Sequence, residues 1–496
     1  MSLKKLGGET IVYGLSSILG RLLNFVVATY FLLQLMSRAE FGVVGDLMFY
    51  TAFLIAFLVF RMDTVVFRFA SREEYDPAAV FRKAQKWVLT SSVVVLGGML
   101  LFSSSLADAL QYPDRVPYVW LVLVTVGFDA LSAVPLARLR LEQRPWFFVV
   151  VNLGNVVVNI LLFFLLLYVW RWNSDWTAAN WGVAYEEGYQ VGYYLLCVAL
   201  ASAFRYLLLL ADGVRRYGFR NPTTGELGAP DFRTYFSYSF PLTVVAIAGI
   251  TNFLVAPSII KFYHGGTVTE NLAFAGDFSA ATKLAVLLNL FVTAYNYAAE
   301  PFFFRQVGKD LAQADKTIYA DAARAYSLIA SLASAGILLF LPWLELLIDE
   351  DNRGGLYVLP ALLAGNFFFG LYSNLSVAYK LTDKTIYGGG IAVIGSVIVV
   401  GGSMFFVREY GIIAPALAML TCFVVMCFLA WLVSRRFFPV EYPWGRIAIY
   451  AVLASGAVYL GDVAQDAMLV RGAIFVALLV ALGLMERNWI RRTFMG

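Results

Sequence analysis

The chain has 496 residues, of which 60% are hydrophobic and 14% charged, and its formal net charge is +4. Mean hydropathy is +0.74. So little polar surface excludes a soluble globule of this length, and so small a net charge gives no ground for a nucleic-acid partner.

A helix that crosses a bilayer needs about 20 apolar residues, and hydrocarbon offers no water to unpaired backbone groups, so the spans must be helices or a closed barrel. The long unbroken apolar runs exclude a barrel, whose strands alternate every second residue. The expected fold class is therefore an all-α polytopic membrane protein. Its basic head, "MSLKKLGG", leads into a run longer than a secretory signal and reads as a retained first span. In chain order the runs predict about fourteen transmembrane helices, at roughly 10–36, 41–70, 80–107, 116–141, 145–170, 188–211, 233–262, 268–300, 317–348, 356–381, 384–407, 410–436, 443–462 and 467–487.

An even number places both termini on one side. About 23 Lys/Arg fall in the N-terminus and the even-numbered loops against about 7 in the others, which predicts cytoplasmic termini. The basic, Pro/Gly-containing stretch 212–232 reads as a linker between an N-lobe, 1–211, and a C-lobe, 233–437, with two extra helices and a tail in 438–496. "FGVVGDLMFYTAFLIAFLVF" at 41–60 can be laid over "LAFAGDFSAATKLAVLLNLF" at 272–291, so that Gly45 and Asp46 fall on Gly276 and Asp277. Such a repeat predicts two six-helix lobes in pseudo-symmetric arrangement, with substrate bound between them near the midplane. Cys197, Cys422 and Cys427 all sit in apolar runs and read as small hydrophobes.

Polar residues inside these spans are the candidates for chemistry. The first span carries Arg21 and Asn24. The second ends in "FLVFRMDTVVFRFASREE", and read as a continuous helix it puts Arg61 and Arg68 on one face with Asp63 about 200° from Arg61. Those arginines either snorkel to headgroups or form a cationic rim at a cytoplasmic mouth. The fourth span offers Asp129 and Ser132, and the fifth Asn152, Asn155 and Asn159. In the seventh, Pro241 and Pro257 bracket Gly249, a candidate gate, because each proline removes a backbone donor. In the eighth, Ser279, Thr282, Asn289, Thr293, Asn296 and Glu300 recur at helical steps along one face, with Lys283 beside them; the tenth adds Asn366, Ser373 and Lys380. Such stripes serve either as hydrogen-bonded seams between helices or as the wall of an aqueous cavity. Arg21 and Lys283, deep in their spans, either pair with acids such as Asp46, Asp129 or Asp277 or bind an anionic substrate, for which a guanidinium fork suits phosphate.

"YGLSSILGRLLNFVVATYFLLQLMSRAEFGVVGDL" and "AGDFSAATKLAVLLNLFVTAYNYAAEPFFFRQ", with Asp63 and Arg68 at the end of the second span, resemble the bacterial polysaccharide flippases, the O-antigen and exopolysaccharide lipid-carrier transporters of the multidrug/oligosaccharidyl-lipid/polysaccharide exporter superfamily. The resemblance implies six plus six helices, alternating access in the bacterial inner membrane, polysaccharide-assembly proteins as partners, and an oligosaccharide linked by pyrophosphate to undecaprenol as substrate. Arg21, Arg61, Lys283 and Arg68 are then the candidates for pyrophosphate, and Asn24, Asn152, Asn155, Asn289, Thr293 and Asn296 for sugar. Asp277 stands where the family more often has an apolar residue, and Glu300 where Trp or Gln is commoner. With Asp129 these two are the candidates for coupling to H⁺ or Na⁺. A cation-coupled multidrug exporter of the same superfamily is the alternative. A membrane polymerase, ligase or acyltransferase is disfavoured because HExxH, GxSxG and a nucleotide phosphate loop are missing from the sequence, and the single histidine, His264, falls in a short loop. No catalytic residue, metal or cofactor is expected.

Overall fold

A computed structural model describes residues 23, 31–217, 228–306, 315–382, 384–463 and 468–491, which contain helices and no strand. Thirteen helical stretches among them are long and apolar enough to cross a membrane. They correspond to the predicted second to fourteenth spans, while nearly all of the predicted first span, with Arg21 and Asn24, lies outside the described residues. The chain is a multi-pass membrane protein.

The long helices are α1 (Arg38–Val59), α2 (Met62–Phe69), α3 (Pro77–Leu101), α4 (Val116–Leu141), α5 (Pro145–Phe164), α6 (Gln190–Tyr217), α7 (Phe232–Leu254), α8 (Ala256–Tyr263), α9 (Val268–Gln306), α10 (Thr317–Leu339), α11 (Leu359–Leu381), α12 (Thr385–Tyr410), α13 (Ile413–Phe437), α14 (Trp444–Val463) and α15 (Met468–Ile490). Local sequence sets their starts. At "SRAE" the Ser37 hydroxyl accepts from the Glu40 amide while the Glu40 carboxylate accepts from the Ser37 amide at 2.9 Å, a reciprocal cap on α1. At "DPAA" the Asp76 carboxylate accepts from the amides of Ala78 and Ala79 at 3.1 and 3.2 Å, with Pro77 opening α3 where its missing N–H costs nothing.

Two spans differ from the continuous helices expected. The second breaks at Phe60 and Arg61, both left-handed, with φ of 50° and 55°. Such a conformation costs a non-glycine residue about 1–3 kcal/mol and persists only where the surroundings over-determine it. Here the Phe60 ring stacks on Phe236 at 5.2 Å and packs on Trp87 at 5.9 Å, and the Ser91 hydroxyl donates to the Leu58 carbonyl at 3.1 Å. Arg61 and Arg68 are therefore not related by one continuous helical wheel. The seventh span is interrupted at Val255, and Pro257 sits in the first turn of α8, while Pro241 and Gly249 lie within α7.

Contacts divide the chain into two compact units, Met1–Gly276 and Asp277–Gly496, with the division inside α9. The reason lies in α7 and α8, which pack on α1. In the first unit α4 is central, touching α1, α2, α3 and α6, with α5 on α6. In the second, α11 packs on α10 and α13, and α14 and α15 on α10. Fully buried Glu486 of α15 binds Arg324 of α10 and lies 3.6 Å from Arg446 of α14; the Trp489 indole donates to Asp321 at 2.7 Å. These bonds tie the two extra spans to α10.

Candidate functional site

The first unit has an open-sided cavity of about 290 Å³ between α1, α4, α5 and α6, with Leu254 of α7 at its edge. Thr125 and Asp129, and likewise Asn155 and Asn159, are four residues apart, so each pair projects from one face of its helix and lines the cavity with Thr51 and Ser202. The hydroxyls of Thr51 and Thr125 donate to the carbonyls of Leu47 and Leu121 at 2.7 and 2.8 Å, leaving their lone pairs to accept. Asn159 Oδ1 is buried with no hydrogen-bond partner among the described residues. Asp129 is held by Arg205 of α6 at 2.5 Å. Arg205 was not singled out in the sequence, although a lone arginine in the apolar run "ASAFRYLLLL" is the signal that could have found it. Asn152 is not among the lining residues; its amide donates to the Phe148 carbonyl at 2.9 Å.

In the second unit the polar face of α9 meets α11. Asn289 donates to Asn366 Oδ1 at 3.1 Å, Thr293 to Asn289 at 3.4 Å, and Asn296 to Ser373 at 3.3 Å. Over these residues the stripe is a hydrogen-bonded seam, each bond worth about 0.6–2 kcal/mol in a membrane bundle. It opens into a cavity of about 80 Å³ bordered by Asn296, Ser373, Asn374 and Lys380. Lys283, on the same helix, has no acidic partner within ion-pair distance among the described residues. Asp277 is 2% exposed, and the turn before α11 closes over it: a Cβ on Gly355 would stand 2.3 Å from the Asp277 carbonyl oxygen. The Glu300 side chain lies outside the described residues.

Arg61 is half-buried, its Nε without a hydrogen-bond partner among the described residues, whereas exposed Arg68 places its guanidinium 4.2 Å over the Tyr238 ring of α7. The most deeply buried ionic group was seen in the sequence only in half. Asp46 of α1 is fully buried and accepts from Ser258 at 2.6 Å, Tyr112 at 2.7 Å and Lys261 of α8; Lys261 also donates to the Leu110 carbonyl at 3.0 Å. The Lys261 carbonyl in turn accepts from the Asn271 amide at 2.9 Å.

No protein-family description and no curated protein matches the sequence. Solved structures do match. The lipid II flippase MurJ in an inward closed conformation is similar over 97% of this chain and 99% of its own, with a TM-score of 0.72 at 14% identity. An inward-facing MATE family multidrug resistance transporter of the MOP superfamily gives 0.63 at 13% identity, over 90% of this chain and 96% of its own. A MATE structure in complex with MaD3S gives 0.61 at 14% identity, over 90% and 96%. The chain thus has the two-lobed, all-α fold of these solved structures.

Proposed function

We propose that this protein is a flippase that carries a polyprenyl-pyrophosphate-linked oligosaccharide across the bacterial inner membrane by alternating access of two lobes, 1–211 and 233–437, joined by 212–232, with both termini cytoplasmic. The observation that carries this reading is end-to-end likeness to a lipid II flippase, which covers more of the chain than the likeness to the drug exporters. Arg21 and Lys283, with Arg61 and Arg68, supply cations for the pyrophosphate, because a lysine at such depth without an acid beside it costs about 2.5–3.5 kcal/mol unless an anion or water meets it. Asn24, Asn152, Asn155, Asn289, Thr293 and Asn296 meet sugar hydroxyls. Asp129, Asp277 and Glu300 are the groups for coupling to H⁺ or Na⁺, and Pro241 and Gly249 within α7, with the break just before Pro257, let the gate bend. Partners are the bilayer, the lipid-linked oligosaccharide and polysaccharide-assembly proteins.

Proteoliposomes loaded with a fluorescent undecaprenyl-pyrophosphate oligosaccharide test the proposal. Wild type should expose the sugar to a membrane-impermeant quencher. Arg21→Ala and Lys283→Ala should each slow that exposure by about tenfold or more, the consequence of losing one charge-assisted hydrogen bond to phosphate, with folded protein unchanged. Undiminished exposure in both variants would remove the assignment. A second reading, a cation-coupled multidrug exporter, is favoured by the MATE likeness and by Asp129 lining its own cavity. Ethidium efflux abolished by Asp129→Asn, with no oligosaccharide exposure by wild type, would select it.

A further inference from the structure

The turn that joins α5 to α6 is a braced structure, and none of its residues lines the cavity of the candidate site. Its short helix, Ser174–Trp181, buries Thr177, whose hydroxyl accepts from the Trp170 indole at 3.2 Å. The Tyr185 amide donates to the Ser174 hydroxyl and the Glu186 amide to the Tyr193 hydroxyl, both at 2.9 Å, and the Tyr185 and Tyr193 rings pack at 4.7 Å. Both glutamates of the turn are taken by arginines, Glu186 by Arg115 at 3.3 Å and Glu187 by Arg171 at 2.9 Å. What the turn presents outward is indole: Trp172 is 87%, Trp181 69% and Trp176 55% exposed, the last two in edge contact at 5.2 Å. A single exposed apolar ring needs no explanation, but three on one rigid turn make a patch that calls for a partner.

The helix beneath the patch says what covers it. Along the span Pro145–Trp172 the exposed side chains Val150, Val157, Leu161, Leu165 and Val169 recur at steps of four and seven, which makes one lipid-facing stripe. Successive steps of four would wind round an α-helix, and the wider π turn at Leu165–Val169 holds them in line. The stripe runs into Trp172 at one end and Trp146, 72% exposed, at the other. These two tryptophans are separated by about 39 Å at 1.5 Å per residue, against about 40–45 Å for a bilayer with its headgroups. Each ring therefore reaches a headgroup layer, where indoles collect. Exposed Asp175 keeps the short helix at that level and out of hydrocarbon, where a carboxylate is costly.

From this continuity and spacing we infer that Trp172, Trp176 and Trp181 bind the headgroup layer of the leaflet at the α5–α6 turn and, with Trp146 in the opposite leaflet, set the depth of α5 in the bilayer. Depth matters because Asn155 and Asn159, which line the cavity of the candidate site, stand on that helix.

Fluorescence in phosphatidylcholine nanodiscs, whose two faces are both open to buffer, provides the test. The emission that wild type has and W172F/W176F/W181F lacks belongs to these three of the 11 tryptophans. Bromination of the acyl carbons nearest the headgroup should quench that emission more strongly than bromination near the chain ends, and iodide in the buffer should leave most of it. For the depth of α5, a nitroxide is placed at lipid-facing Leu161→Cys, the native cysteines being buried. In a W172Q/W176Q/W181Q background it should shift toward the surface at the turn, because glutamine is drawn into water, while unfolding in detergent stays unchanged at three exposed positions. Emission quenched by iodide and untouched by bromine would overturn the proposal, and its shielding by a soluble oligosaccharide would assign the patch to sugar instead. A nitroxide at the same depth in both backgrounds would equally overturn it.

Discussion

Lys261→Met should be among the most destabilising single changes in the protein, costing about 3–5 kcal/mol, because it leaves a carboxylate buried and uncompensated. Asp46 and Lys261 are both fully buried, and the hydrogen bonds left to the acid among the described residues would come from the hydroxyls of Tyr112 and Ser258. Two neutral donors shorten the penalty without removing it, since they supply hydrogen bonds but no charge. Asp46→Leu should be comparably damaging for the converse reason, a buried ammonium left with neutral partners, the Leu110 carbonyl and the hydroxyl and ring of Tyr112 among the described residues. The double variant Asp46→Leu/Lys261→Met should cost less than either single change, because a buried ion pair replaced by apolar groups of similar volume is often close to neutral. It should still cost about 1–3 kcal/mol for a hydroxyl stranded at Tyr112 or Ser258. Thermal unfolding of all four proteins in one detergent gives the coupling energy directly. Additive losses would mean that the pair is not the unit that fastens α8 to α1.

That ion pair also shows where sequence reading ends. The spans were legible because each needs an apolar run of fixed length, and thirteen appear where the runs predicted them. The all-α fold class was legible for the same reason. The partner of Asp46 was not, since Lys261 lies in a distant span and the sequence offered Arg21 and Lys283 as cations for any of the acids Asp46, Asp129 and Asp277. In the structure Asp129 is claimed by Arg205 and Asp46 by Lys261. The break at Phe60–Arg61 carries no glycine or proline and is held by aromatic rings of α3 and α7, so only tertiary packing could reveal it. The α9 stripe was legible as a face from its steps of three and four residues. Its hydrogen bonds to α11 were not, because the same asparagines and threonines would line water equally well.

Gly42→Ala and Gly276→Ala should each strip the membrane of folded protein, because both glycines lie where one backbone touches another. A Cβ on Gly42 would stand 1.9 Å from the Leu272 carbonyl oxygen, and a Cβ on Gly276 would stand 1.9 Å from the Arg38 carbonyl oxygen. Each carbonyl belongs to the residue four before the opposite glycine, so the start of α1 and the start of α9 press together through a reciprocal pair of backbone contacts. Neither clash can be relieved by rotating a side chain. The helices must move apart, which costs about 1–3 kcal/mol as overpacking and more where close backbone approach is what holds the crossing together. Because one separation would accommodate both methyl groups, the double variant should lose less than the sum of the single ones. Gly249→Ala is the contrasting case. Among the described residues nothing beyond its own helix lies within 4 Å of a Cβ there, so the change should stabilise α7 by about 0.5–1 kcal/mol through helix propensity alone. If α7 bends during transport, that gain should appear together with slower oligosaccharide exposure in proteoliposomes, whereas unchanged transport would remove Gly249 from the gate. Unfolding temperatures indistinguishable from wild type for Gly42→Ala and Gly276→Ala would show that the crossing is not held by backbone contact.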